Sequence, residues 1–194
     1  MAEVELPNPQ ELEEMREKSF TRRTALVTAL YAVCLAIVSL GGNNATKEMS
    51  LAQQQASDQW AFYQAKSMRE QLYRIERMRL EDDLAERGAS LAAPAREHKS
   101  EFLATVAGEE KRYVAEKKEI EEKAREFERE RDTYRAKDPY FDFGEVLLQI
   151  AIVLASMSIL THARPIFHAS VLAAVMGLVL GLNGYLLLLR LPFL

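Results

Sequence analysis

The chain has 194 residues, 25 of them Lys or Arg against 29 Asp or Glu, with one cysteine, eight glycines and six prolines. A net charge of −4 without a strongly basic segment excludes a nucleic-acid partner, because phosphates need a basic face. The lone Cys34 excludes an internal disulfide, and so few Gly and Pro exclude a sandwich or barrel built on many tight turns. An all-α chain is left.

Charge and hydropathy are segregated along it. Residues 47–142 carry 19 basic and 22 acidic side chains, while three blocks have almost no charge. A helix of about 20 apolar residues spans a bilayer core of roughly 30 Å, so the expectation is an all-α membrane protein with three transmembrane helices. The lipid bilayer is its first partner.

In chain order, residues 1–23 form a segment expected on the cytoplasmic side. It holds Glu3, Glu5, Glu11, Glu13, Glu14 and Glu17, unlike the short basic start of a secretory leader. Transmembrane helix 1 is expected over 24–41 and stops at Gly41-Gly42. An extramembrane helical hairpin then occupies 42–143. Asn43 and Asn44 are N-cap candidates for its first helix, and its two helices cover about 44–87 and 94–137. Gly88 suits a helix C-cap and Pro94 a first turn.

On the second of these helices Val106, Tyr113, Ile120, Phe127 and Tyr134 recur every seven residues, the coiled-coil period. On the first, Ala61, Ala65, Met68, Leu72 and Ile75 fall at spacings of three and four, with Leu80 and Leu84 extending that side. The expectation is that this stripe meets the heptad seam of the second helix. Two narrow stripes bury little area, and most helix stability comes from packing an amphipathic face. Neighbouring copies would supply the missing surface, so a homo-oligomer is expected.

Transmembrane helix 2 is expected over 144–161, preceded by Tyr140, Phe141 and Phe143 as an aromatic belt, and transmembrane helix 3 over 166–189, followed by a short tail, 190–194. The link His162-Ala163-Arg164-Pro165 forces a tight hairpin. Arg16, Lys18, Arg22, Arg23 and Arg164 then share a side, against Lys47 and Arg190 on the other. The positive-inside rule places the first group in the cytoplasm and the helical hairpin in the periplasm of a bacterial inner membrane.

The junction Gly41-Gly42-Asn43-Asn44-Ala45-Thr46-Lys47-Glu48, continuing as MSLAQQQASDQWAFYQAKSMRE, resembles the bacterial domain-of-unknown-function family 4337. The resemblance extends over nearly the whole chain and implies a bacterial integral membrane protein. It carries no activity and no catalytic or binding residues.

Gln59, Trp60, Phe62 and Tyr63 form a polar-aromatic cluster of the kind that anchors interfaces. Ala173, Gly177 and Gly181 fall every fourth residue, a spacing that lets helices approach closely in lipid. These seven residues are the expected oligomer interface. His162, Arg164 and His168 cluster at the tight hairpin, where facing lipid phosphates is favoured over a metal site, and no cofactor is expected. The three blocks carry no internal acidic or basic residue, and no Walker loop, HExxH or nucleophile elbow occurs. A non-enzymatic scaffold is the favoured reading, with a possible membrane or periplasmic protein partner. The alternative is a channel or accessory subunit of a transport complex, its path lined by Gln149, Asn183 and serines.

Overall fold

The charged stretches are rich in Glu, Lys, Arg, Ala and Gln, all strong helix formers, and the apolar blocks satisfy their backbone internally as helices. The computed structural model describes residues 9–189. Among these the chain is all-helical, with no strand: α1 runs Pro9–Arg87, α2 Ala93–Thr161 and α3 Arg164–Leu186, with a 3-10 turn at Gly88–Ser90. Glu3 and Glu5, the 190–194 tail and Arg190 lie outside the described residues. All three helices are long and apolar enough, by length and composition, to cross a bilayer.

The helices are longer than expected. No helix starts at Asn43 or Asn44, because α1 passes through Gly41-Gly42 without interruption. Neither glycine has positive φ. Their role is close approach: a Cβ on Gly41 would lie 2.5 Å from Phe141 Cε1 and 2.6 Å from Tyr185 Oη. Each glycine costs a helix about 1 kcal/mol relative to alanine, and the ring seated against this pair offsets that cost. Likewise α2 continues through Pro139, although proline removes a backbone donor. Gly88 opens the 3-10 turn rather than adopting a left-handed cap, and Pro94 is the second residue of α2.

The chain divides into two units, residues 9–48 with 133–189 and residues 49–132. In the first, the buried positions step by three and four along α2 and α3 and by seven along α1, repeats that keep one seam facing a neighbouring helix. Thr24, Tyr31, Val38 and Ala45 are buried on α1, Phe141, Leu148, Ala151, Ala155 and Ser158 on α2, and Ser170 and Ala174 on α3. Gly144, Gly177, Gly181 and Gly184 fill the intervening inward steps. A Cβ on Gly144 would sit 3.0 Å from the Gly177 carbonyl oxygen, and one on Gly181 would sit 2.6 Å from Val38 Cγ2. The backbones of α2 and α3 therefore nearly touch.

Of the expected aromatic belt only Phe143 is exposed, whereas Tyr140 and Phe141 are buried. Phe141 meets Tyr185 edge to face at 4.9 Å, and the Tyr185 hydroxyl donates to the Ile37 carbonyl. The rings became core because Gly41, Gly42 and Gly184 leave the space for them.

A methyl group at Gly177 would meet the Gly144 carbonyl oxygen at 2.9 Å and Leu148 Cγ at 3.0 Å. Overpacking costs about 1–3 kcal/mol, more than the ~1 kcal/mol alanine gains over glycine within a helix. Gly177→Ala is expected to lower the thermal midpoint of the detergent-purified protein, followed by circular dichroism. Gly108→Ala, whose Cβ would meet nothing within 4 Å, should not lower it. Equal midpoints would show that α2 and α3 are farther apart than this.

Candidate interaction site

Within the second unit, the α1 and α2 segments form an antiparallel pair whose inner face mixes small and aromatic side chains with charged ones. Ala52 and Ala56 are buried on α1, where small side chains allow close packing. Farther along, the contacts are charges and rings. Lys66 donates to Glu116 at 2.5 Å, Lys117 pairs with Glu70 at 2.6 Å, Arg77 donates to Glu110 at 2.6 Å, and Lys99 pairs with Asp83. Tyr73 stacks on Tyr113 with centroids 5.5 Å apart. On α2, Val106, Tyr113 and Ala124 are buried and Ile120 and Phe127 half-buried, so its heptad seam does face α1.

The opposing stripe does not. Ala61, Ala65, Met68, Leu72 and Ile75 are all exposed, Met68 by 67 % and Leu72 by 62 %. Only Leu80 and Leu84 of the expected set are half-buried. The reason is phase. Positions 52, 59, 66, 73 and 80 lie on the inner side at intervals of seven, and the apolar stripe lies well away from them around the helix. The pairing of α1 with α2 thus joins a narrow buried seam to a set of ion pairs, and the row that holds Met68, Leu72 and Ile75 is left uncovered. Beside that row runs a groove of about 900 Å³ lined by Leu72, Ile75, Phe102 and Tyr113, with Arg69, Glu76 and Arg79 at its rim.

The polar-aromatic cluster is only partly available to a second chain. The Trp60 indole N–H donates to Glu128 at 3.0 Å, and Trp60 meets Tyr63 edge to face at 5.4 Å. Lys117 lies over the Tyr63 ring, and Gln59 is half-buried. Phe62 alone of the four points outward, 59 % exposed. Gly177 and Gly181 are occupied from within the chain, by α2 and by Val38 respectively, and Ala173 is half-buried against the same core. Close approach at this motif is therefore between helices of one chain.

Gln149 is exposed and donates to Glu145 at 3.2 Å. Asn183 uses both amide atoms on the backbone of Leu189, holding the end of α3, where Leu187 adopts left-handed φ. His162 takes a left-handed φ of 50° at the tight turn, and His168 lies against Phe167. Among the described residues no three His, Cys, Asp or Glu side chains gather where they would hold a metal ion.

Two features escape a reading of the sequence by local pattern. The ion pairs between the helices depend on the α1 phase, which could have been found by extending the series 24, 31, 38, 45 through 80. The second is a groove at the other end of the first unit, where Arg16, Arg23 and Arg164 come together.

The fold and these surfaces define an all-helical chain of three long apolar helices whose features are contact surfaces. The family model described as "Domain of unknown function (DUF4337)" matches residues 20–187, and the chain belongs to that family. No curated protein and no solved structure matches it.

The inner ion pairs make the second unit sensitive to acid. The Lys66 hydrogen bond holds the Glu116 carboxyl below its ordinary value of 4.5, and the Lys99 hydrogen bond holds Asp83 below its ordinary 3.8. A carboxylate whose folded pKa is depressed contributes stability that is complete above the unfolded pKa. That contribution is lost as pH falls through the lower, folded value. Thermal unfolding followed by helicity is therefore expected to begin earlier below pH 4.5 than at neutrality. Glu116→Gln with Asp83→Asn should flatten that dependence. An unchanged acid dependence in the double variant would show that these pairs do not hold the helices together.

Proposed function

We propose that the protein is a scaffold of the bacterial inner membrane that crosses the bilayer three times and self-associates through the helical pair it projects. The carrying observation is the uncovered stripe Ala61, Ala65, Met68, Leu72 and Ile75. Its alternating spacing of four and three is the a/d pattern of a coiled-coil seam, and isolated large apolar side chains in such a row favour burial against another helix. Neither a cofactor nor catalysis is part of this reading.

A second copy is the occupant that the charges favour. An antiparallel two-fold pairing that sets Leu72 against Ile75 of the second copy brings Arg69 across from Glu76. Symmetry makes that pair twice, as an isologous contact requires. Glu76 and Arg79 have no ion pair or hydrogen bond of their own among the described residues. Phe62 lies beside the same seam and extends it toward Gln59 and Trp60.

The membrane reading is supported by three helices of spanning length and by apolar side chains that face outward around the first unit, among them Leu26, Leu30, Val153, Leu172 and Val179. A bilayer makes such exposure favourable. The orientation follows from the basic residues: Arg16 and Arg23 share a groove with Arg164, so the basic flank of the first span and the tight turn lie at one end. That end is cytoplasmic by the positive-inside rule, and the projected helical pair is periplasmic.

Two experiments test this. Met68→Glu with Leu72→Glu is expected to shrink the detergent-purified particle to a single chain, because a fully buried Met or Leu contributes about 1.5–3 kcal/mol. Arg69→Glu should weaken association, and adding Glu76→Arg should restore it. Unchanged particle mass in the first variant removes this surface as the self-contact. For topology, a cysteine at Ser90, with Cys34 replaced, should react with a membrane-impermeant thiol reagent in intact spheroplasts, whereas one at Ala163 should react only after lysis. The opposite labelling pattern inverts the orientation.

A further inference from the structure

At the tight-turn end of the first unit, Met15, Arg16, Ser19, Phe20, Arg23 and Arg164 line a groove of about 530 Å³. The edge-to-face contact of Phe20 with Phe167, centroids 5.8 Å apart, joins α1 to α3 beside it. Three arginine side chains thus line one groove, and none has a carboxylate partner among the described residues. Some arginines of the second unit are neutralised, Arg77 by Glu110 and Glu81 and Arg125 by Glu121. Glu14 and Glu17 line a different groove with Lys18 and Arg22, and Glu14 pairs with Lys18. The three side chains are exposed, so water screens their mutual repulsion, and an anion in the groove gains attraction from all three.

The geometry points to a binding site for an anionic phospholipid, its phosphate held by Arg16, Arg23 and Arg164. A guanidinium fork matches phosphate oxygens in pairs of parallel hydrogen bonds, and basic pockets between helices on the cytoplasmic side suit such headgroups. The face that carries Arg16 and Arg23 continues in steps of three and four as Leu26, Leu30, Val33 and Ile37, all exposed. Cationic groups are thus followed along one helix face by an apolar strip, the order in which a lipid presents its phosphate and its acyl chain. A free phosphate would use the arginines alone. The site rests on the bilayer-spanning reading above, and lipid at this position would join α1 to α3 at the turn.

The test uses the full chain in detergent, with lipid retention measured by native mass spectrometry. Phosphatidylglycerol should be retained over phosphatidylcholine by at least about fivefold, the contribution of one arginine near an anionic surface. Arg16→Gln, Arg23→Gln and Arg164→Gln combined should bring the two lipids to parity, while Lys18→Gln with Arg22→Gln should leave the preference in place. Glycerol 3-phosphate should not compete at concentrations comparable to the lipid. Equal retention of both lipids by the unaltered chain, loss of preference in the Lys18 and Arg22 variant, or full competition by glycerol 3-phosphate overturns the site. Should the triple variant lose its helicity, Arg16→Gln and Arg23→Gln singly carry the test, each expected to reduce the preference and each overturning the site if it does not. Flotation with liposomes separates this from the reading beneath it. A chain that floats without lipid preference retains the membrane assignment and loses only the site, and a chain that does not float loses both.

Discussion

A long helix wound against a neighbour keeps one seven-residue series on its covered face, because slight supercoiling removes the drift of about 20° per heptad. α1 is such a helix from Pro9 to Arg87. Its inward positions in the first unit are 24, 31, 38 and 45, and in the second they are 52, 59, 66, 73 and 80. What occupies that series is therefore assigned inward, whatever its chemistry. Tyr31 and Val38 suit the assignment; Lys66 does not, and requires Glu116. The same constraint sends Met68, Leu72 and Ile75 outward, where their hydrophobicity finds no partner in the chain.

The two units solve packing by different physics. In the first, glycine and alanine at inward positions bring backbones within contact, and the attraction is dispersion between closely fitted surfaces. Gly144 against Gly177 and Gly181 is its tightest point. In the second, opposite charges are paired across helices, and each pair is partly open to water. Such pairs are individually weak but specific in register, since a shift along the helix would set like charges opposite one another. A helical pair held this way has register without much buried apolar area, and this is the physical ground for proposing that copies complete the structure.

Charge at the opposite end is sorted by face. Glu14, Glu17, Lys18 and Arg22 balance one another around one groove, whereas Arg16, Arg23 and Arg164 are left without acidic neighbours in another. Linear sequence does not display this, since acidic and basic residues alternate closely along 11–23. Rotation about the helix axis separates them.

The sequence by itself determined the all-helical class, the three apolar helices, the turn near Gly88 and Pro94, and the inward seam at Val106, Tyr113 and Ile120. These follow from composition and from periodicity within one helix. It misassigned Gly41-Gly42 as the end of a helix, because glycine weakens a helix locally while packing against Phe141 overrides it. It misassigned Tyr140 and Phe141 to an exposed belt and Ala61 through Ile75 to the inside of the pair. Only the tertiary structure decided those, because which face of a helix is covered depends on where its neighbours lie and on a phase carried over from residues far away along α1.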